Sequence, residues 1–279
     1  MDDRQFRAWL ALIEQRAGLV FAEERRAFVN SGIRRGMGEA GCRDYGEYYR
    51  RLRRADDAEW ARLVDHLTVH ETRFFRHPPS FALLREGWLP GLVRDGVPRK
   101  LRIWSAGCAS GEEAYSLAML ADQQLSACPG WDFEIIGSDI SEAVLARARA
   151  GVYDERRLKY VDSSLASRYC RPLGGGRHRI DARLRGRVRF EAWNLERGPA
   201  PWSGIDLVYC QNLLIYFDRA RRADIAARLA ASLNPGGLLV LGPGELPGWR
   251  PRGLERVQWP ETLAYRRLDT GLETPKERK

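Results

Sequence analysis

Apolar residues recur every three or four positions through the first part of the chain. Phe6, Trp9, Leu10 and Ile13 follow i, i+3, i+4, i+7 spacing, which puts them on one buried helix face, and Gly18 supplies a stop. A second helix is expected over Glu23 to Ile33. Tyr45, Tyr48, Tyr49 and Leu52 define a third, and Trp60, Leu63, Val64 and Leu67 a fourth. Short helices with aromatic residues on their apolar faces predict a small all-helical domain over residues 1–80, with the aromatics as its core. Pro78 and Pro79, followed by a helical stretch to Leu89, mark the passage into a second domain.

From Lys100 onward the period changes repeatedly. LRIW reads as a strand, Glu112 to Leu125 as a helix, DFEIIGSD as a second strand and Glu142 to Ala150 as a second helix. Later, IDLVY predicts a strand, Arg219 to Leu233 a helix and LLVLG another strand. This alternation demands a largely parallel sheet covered by helices, so the fold class over residues 81–270 is α/β. ERVQW and LAYRRL can pair antiparallel across the PET turn at the sheet edge. The stretch LKYVDSSLASRYCRPLGGGRHRIDARLRGRVRFEAWNL is too irregular for a crossover helix. With the triple glycine at 174–176 as a turn, and RHRI and RVRF as short strands, it predicts a small inserted beta subdomain over 158–190. The tail, 271–279, is expected to be disordered.

Composition narrows the function classes. A chain of 279 residues, 44% of them hydrophobic, buries a substantial core. No apolar run approaches 18 residues and the opening MDDRQFRAWL is not a signal peptide, so neither membrane insertion nor export is expected. Cys42, Cys108, Cys128, Cys170 and Cys210 form no CxxC pair and are odd in number, which argues against a disulfide framework or zinc site and for a cytoplasmic protein. The formal charge of +9 is unevenly spread. Residues 1–80 hold 15 Arg against 13 acidic residues, whereas residues 156–197 hold 12 Arg or Lys against 4, a net of +8. That segment is either a docking surface for something acidic or a solvated face.

The candidate chemistry sits in IWSAGCASGEEAYSLAM, 103–119. Gly107 and Gly111 let the chain turn sharply after a strand and let a ligand approach the backbone. Neither G-x-G-x-x-G nor G-x-x-x-x-G-K-[ST] is present, and Glu112 and Glu113 occupy the first helical turn. Their plain role is to complement the helix dipole. Such a pair also repels a pyrophosphate and attracts a cofactor bearing an ammonium and a sulfonium, which describes S-adenosylmethionine. Asp139 ends the next strand on the same sheet edge, where a carboxylate can accept both ribose hydroxyls. NPGGLLVLG fits a tight turn feeding a later strand. His66, His70, His77 and His178 make no compact ligand set, so no metal is expected.

Four blocks together resemble the bacterial chemotaxis receptor glutamate O-methyltransferases, the CheR family: TVHETRFFR (68–76), IWSAGCASGEEAYSLAM (103–119), IIGSDISEAVLARARAGVY (135–153) and CQNLLIYFD (210–218). The resemblance covers roughly residues 5–268. It implies a Rossmann-like S-adenosylmethionine-dependent methyltransferase domain with an inserted small beta subdomain, preceded by an all-helical domain. It puts Thr72 and Arg76 beside the methionine end of the cofactor, gives Glu112 a cofactor contact with Ala106 and Gly107 in the same turn, and makes Asp139 the ribose acid. Asn194 and Leu195 fall on the adenine side, Asn212 and Leu213 near the methyl group, and Tyr216, with Arg76, at the reaction centre. Three departures stand out: Gln211 where Arg is common, His70 where Asn is common, and GPGEL (242–246) in place of a glycine, His, Ser pattern.

The implied reaction gives glutamate methyl esters and S-adenosylhomocysteine. A glutamate carboxylate, with a reference pKa of about 4.3, is ionised near neutrality and needs no strong general base. The implied work is therefore alignment and controlled desolvation, for which Tyr216, Phe217, Phe74 and Phe75 are candidates. The implied partner is the cytoplasmic signalling domain of methyl-accepting chemotaxis proteins, met as a monomer through Arg25, Arg26, Arg34 and Arg35. Some members also hold a receptor carboxyl-terminal pentapeptide on the insert by strand addition. Two rival readings stand against it. A nucleic-acid methyltransferase suits the charge but lacks an aromatic-basic module or an N-P-P-Y clamp, so nucleic acid is not expected as a partner. A non-enzymatic scaffold would have lost cofactor binding, whereas the glycines and acidic residues are retained.

Overall fold

The computed structural model describes residues 1–68, 71–196 and 198–269, except for the side chain of Asp57. His70 and the expected disordered tail, 271–279, lie outside the described residues.

Helix α1 (Asp3–Ala17) opens with a capping box, in which Gln5 N donates to Asp2 Oδ1 at 2.7 Å and Asp2 N donates to Gln5 Oε1 at 3.3 Å. Gly18 closes it at φ 71°. A Cβ at this position would lie 2.5 Å from Glu196 Cδ, so the helix ends against the other domain. Helices α2 (Arg26–Glu39), α3 (Tyr45–Leu52) and α4 (Asp57–Leu67) follow, the last two N-capped by Asp44 and Asp56. Trp9, Ile13, Ile33, Tyr48, Leu52, Leu63 and Leu67 fill the space between them. Gly32 lets α2 press on α4, because a Cβ there would come within 2.7 Å of His66 O.

Helix α5 (Pro78–Ala82) runs through a π-helical stretch, Leu83–Trp88, into α6 (Leu89–Asp95). The sheet begins with β1 (Lys100–Ala106), α7 (Glu112–Leu125), β2 (Asp132–Asp139) and α8 (Glu142–Ala150). Then come β3 (Val152–Asp154), α9 (Glu155–Leu158), α10 (Ser163–Tyr169), β4 (Cys170–Gly174), β5 (Arg177–Ile180), α11 (Ala182–Arg185) and β6 (Val188–Ala192). The chain finishes with β7 (Ile205–Cys210), α12 (Arg219–Ala231), β8 (Leu233–Leu241), β9 (Leu254–Val257) and β10 (Leu263–Arg267). The main sheet has the order β6-β2-β1-β7-β8-β10-β9. Its first five strands are parallel, and β10 runs antiparallel to both β8 and β9.

One strand falls elsewhere than the sequence pattern suggested. RVRF, expected within the insert, forms β6 and pairs with β2 in the main sheet, Val188 opposite Ile135. Phe190 drives this, since its ring lies where a Cβ on Gly137 of β2 would be, 2.6 Å away, and packs against Tyr115. The small sheet has the order β3-β5-β4 and so starts at Val152, ahead of the expected 158.

Alternate residues of the central strands face two cores. Trp104, Ile136, Val208 and Leu239 pack with the helical domain and α12, while Ile103, Ile135, Leu207 and Val240 pack with α6, α7 and the insert. The helical domain is thereby part of the same core as one face of the sheet. No helix among the described residues is long and apolar enough to cross a membrane.

Candidate cofactor and methyl-transfer site

The strand order reverses between β1 and β7, and the crevice outside the carboxyl ends of those strands is where an open α/β sheet takes a ligand. After β1, Gly107 N and Cys108 N both donate to Ser138 O, at 2.8 and 2.9 Å, which hooks the turn onto the end of β2. Gly107 is left-handed at φ 79°, and a Cβ on it would meet Leu213 Cδ2 at 2.5 Å. The turns after β1 and β7 therefore touch across a point only glycine permits. Asp139 Oδ2 accepts from Ala109 N and Asp139 Oδ1 from Ser141 N, each at 3.0 Å, so the carboxylate is fixed at the floor of the crevice.

A cavity of about 890 Å3, counting the part open to solvent, occupies this crevice. Thr72, Arg76, Gly107, Asp139, Asn194, Leu195, Asn212, Leu213 and Tyr216 all line it. The helical domain closes it from above with Ala17, Leu19, Val64 and Thr68. Its polar lining fits S-adenosylmethionine end to end. Arg76 with Glu71 and Glu113 suits an amino acid's carboxylate and ammonium, Asp139 suits a diol, and Trp193, Ile140 and Leu195 with Asn194 suit a flat base bearing polar edges. Among the described residues the charged lining sets Arg76 against Glu71 and Asp139, with Glu113 beside them, a net acidic set that repels a pyrophosphate.

The TRFFR segment reaches the cavity because its two phenylalanines do not. Phe74 is fully buried edge-to-face on Tyr153 of the insert, ring centroids 5.0 Å apart, and Phe75 packs on Phe81 while its N–H donates to Ser116 Oγ at 3.0 Å. Phe75 sits at φ 49°, unusual for a bulky residue, and this kink turns Thr72 and Arg76 inward. Arg76 Nη1 donates to Glu71 O at 2.6 Å. Phe74 and Phe75 thus anchor the segment rather than line the site.

Two expected cofactor contacts lie elsewhere. Ala106 is the fully buried last residue of β1 and does not line the cavity. Glu112 points into the insert, where its Oε1 pairs with Arg157 Nη1 of α9 and its Oε2 accepts from Ser110 Oγ at 2.7 Å. The neighbouring Glu113 faces the cavity instead, accepting from Ser105 Oγ at 2.6 Å. Burial pushes its carboxyl up to about 8, partly opposed by Ser105 and the Arg76 charge.

Glu245 and Arg222 lie outside the four blocks that carry the resemblance, Arg222 just past the last of them, and they support the lining from behind. The segment Gln211–Phe217 supplies five lining residues, with Asn212 left-handed at φ 58°. Buried Glu245 clamps it: Leu214 N donates to Glu245 Oε1 at 2.9 Å, and Gly242 N donates to Glu245 Oε2 at 2.7 Å. Arg222 donates to the carbonyls of Phe217 (2.7 Å), Glu245 (3.2 Å) and Ile215 (3.3 Å). Gln211, at the position of the expected arginine, donates to Ser80 Oγ at 2.9 Å. The only sequence signal for this clamp is the acidic residue in GPGEL.

Of the four arginines expected at a partner surface, Arg25 and Arg34 are exposed. Arg35 is exposed and donates to His66 O at 3.1 Å. Arg26 has an internal task, pairing with Asp3 at 2.5 Å, donating to Met1 O and stacking over Phe6.

Sheet order, switch-point crevice and acidic cofactor-shaped lining define an S-adenosylmethionine-dependent methyltransferase. Residues 70–254 match the CheR methyltransferase SAM binding domain and residues 4–68 the CheR methyltransferase all-alpha domain. Chemotaxis protein methyltransferase 1 of Pseudomonas aeruginosa is 32% identical over 269 residues, covering 94% of this chain and 97% of that protein. The chemotaxis protein methyltransferase of Salmonella typhimurium is 34% identical over 254 residues, covering 88% of this chain and 84% of that one. The chain belongs to the CheR methyltransferase family.

Proposed function

We propose that this enzyme is a protein-glutamate O-methyltransferase that esterifies side-chain carboxylates on the cytoplasmic signalling domain of methyl-accepting chemotaxis receptors. The observation that carries the reading is the cavity itself, closed jointly by the helical domain, the TRFFR segment and the loop holding Tyr216. The enzyme acts in this reading as a monomer, and its free cysteines suit the cytoplasm.

When bound, S-adenosylmethionine supplies a methyl group on a positively charged sulfur. The chain's residues supply position. Glu113 and Arg76 are matched to the ammonium and carboxylate of the methionine end, Asp139 to the ribose, and Asn194 with Leu195 to the adenine. The acceptor carboxylate enters ionised, so no lining residue needs to take its proton. Arg76 draws it in, and the Glu71 carbonyl limits how far that guanidinium reaches. Tyr216 with Leu213 and Phe217 would exclude water from the place where the methyl group and the acceptor carboxylate meet. Exposed Arg25, Arg34 and Arg35 steer an acidic helical partner toward the mouth.

Transfer of labelled methyl groups to receptor-containing membranes tests this. The expected product is a receptor-sized band whose label is volatile and released by alkali, and which disappears when the acceptor glutamates become alanine. Base-stable label, or label on nucleic acid, would overturn the substrate.

A further inference from the structure

Asp139 does not stand alone at the floor of the cavity. Its Oδ1 accepts from the backbone N–H of Ser141, and the hydroxyl of the same Ser141 donates to Oδ1 of Asp65, on α4 of the helical domain. Ser141 also caps α8, accepting from Val144 N at 3.3 Å. One serine therefore carries a bond from each domain: its side chain is held by the helical domain and its main chain holds the carboxylate of the sheet domain. On the opposite oxygen Asp139 is held by the glycine turn, through Ala109 N. Helix α4 and its C-cap contribute Val64 and Thr68 to the cavity wall on either side of Asp65.

A hydroxyl has one proton to give. Ser141 gives it to Asp65, which leaves only the oxygen to serve the helix cap and fixes the rotamer of Ser141. The same bond tethers the Ser141 turn, and with it the N–H aimed at Asp139, to the helical domain. Removing the Asp65 carboxylate releases the hydroxyl to rotate and loosens the turn that orients Asp139.

We propose that Asp65 is a positioning residue of the helical domain that sets cofactor affinity by holding Asp139, through Ser141, in the orientation that meets the ribose hydroxyls. The inference rests on the reading of Asp139 as the ribose acid. It makes the helical domain part of the cofactor site as well as its cover.

Calorimetric titration of the full-length protein with S-adenosylhomocysteine and with its 2′,3′-dideoxy analogue, which offers Asp139 no hydroxyl, tests it, with thermal melts as a control on folding. Wild type is expected to bind the dideoxy analogue at least about tenfold more weakly, the worth of a hydrogen bond to a charged group. Asp65→Ala is expected to weaken S-adenosylhomocysteine about tenfold while changing the affinity for the dideoxy analogue less than about twofold. Asp65→Asn keeps an oxygen that accepts from Ser141 and should recover most of the loss. Ser141→Ala should add little to Asp65→Ala, because both cut one chain of bonds. Equal weakening of both ligands by Asp65→Ala, no weakening of either, or additive losses in the double variant would overturn the proposal. Equal binding of both ligands by wild type would instead overturn the ribose reading on which it rests.

Discussion

Glu112 and Glu113 are neighbours in sequence and opposites in role. Successive helix positions differ by about 100° in direction, and only the packing of Arg157 against one and Ser105 against the other separates them. The charge pattern offered the pair and the resemblance chose Glu112, whereas the cavity is lined by Glu113, because that choice is made by an insert contact 45 residues away. Glu113, raised to about 8, should couple binding to protons. An ammonium beside it favours the ionised form, so S-adenosylhomocysteine binding near pH 7 should release protons, and affinity should rise from about pH 6 to pH 9. Glu113→Gln should abolish the release and weaken binding about tenfold; calorimetry in buffers of different ionisation enthalpy reads both. The stability effect has the reverse slope. Because the folded value lies above the ordinary 4.5, this group's contribution is complete below about 4.5 and is lost as pH rises through about 8, a loss the glutamine variant should lack. Glu245→Gln replaces one acceptor with a donor facing an N–H, so urea melts should show a loss of about 2 kcal/mol, and kcat should fall more than cofactor affinity. Unchanged kcat would remove Glu245 from the support of Tyr216.

Elements were more legible than contacts. The bounds of α7, β2 and α8 follow from hydrophobic period, the glycine turn and an N-capping serine, all local signals. RVRF shows where such signals stop: its residues announce a strand, but which sheet it joins depends on the fit of Phe190 over Gly137. The Glu245 clamp was equally hidden, being a meeting of two loops 31 residues apart. The α2–α4 contact makes a prediction at this scale. Gly32→Ala should cost about 2 kcal/mol in denaturant melts, since the methyl group would meet a backbone carbonyl that cannot rotate aside. A variant as stable as wild type would mean that the helices separate at little cost.

At the scale of the whole molecule, two sequence domains share one apolar core, in which Trp9, Ile13 and Leu63 belong to the same buried cluster as Trp104, Val208 and Leu239. Unfolding should therefore be a single transition, with tryptophan fluorescence and far-ultraviolet circular dichroism coincident in urea. Two separated midpoints would show the helical domain melting by itself. Gly18 has a practical consequence for anyone recombining such enzymes. Its missing side chain is the socket for the Glu196 carboxylate, 2.5 Å from where a Cβ would be. A chimaera that takes its amino-terminal helices from another source inherits half of a lock: any side chain at position 18 must push the Glu196 carboxylate aside and also hold a left-handed backbone, so the donor helix should end in glycine.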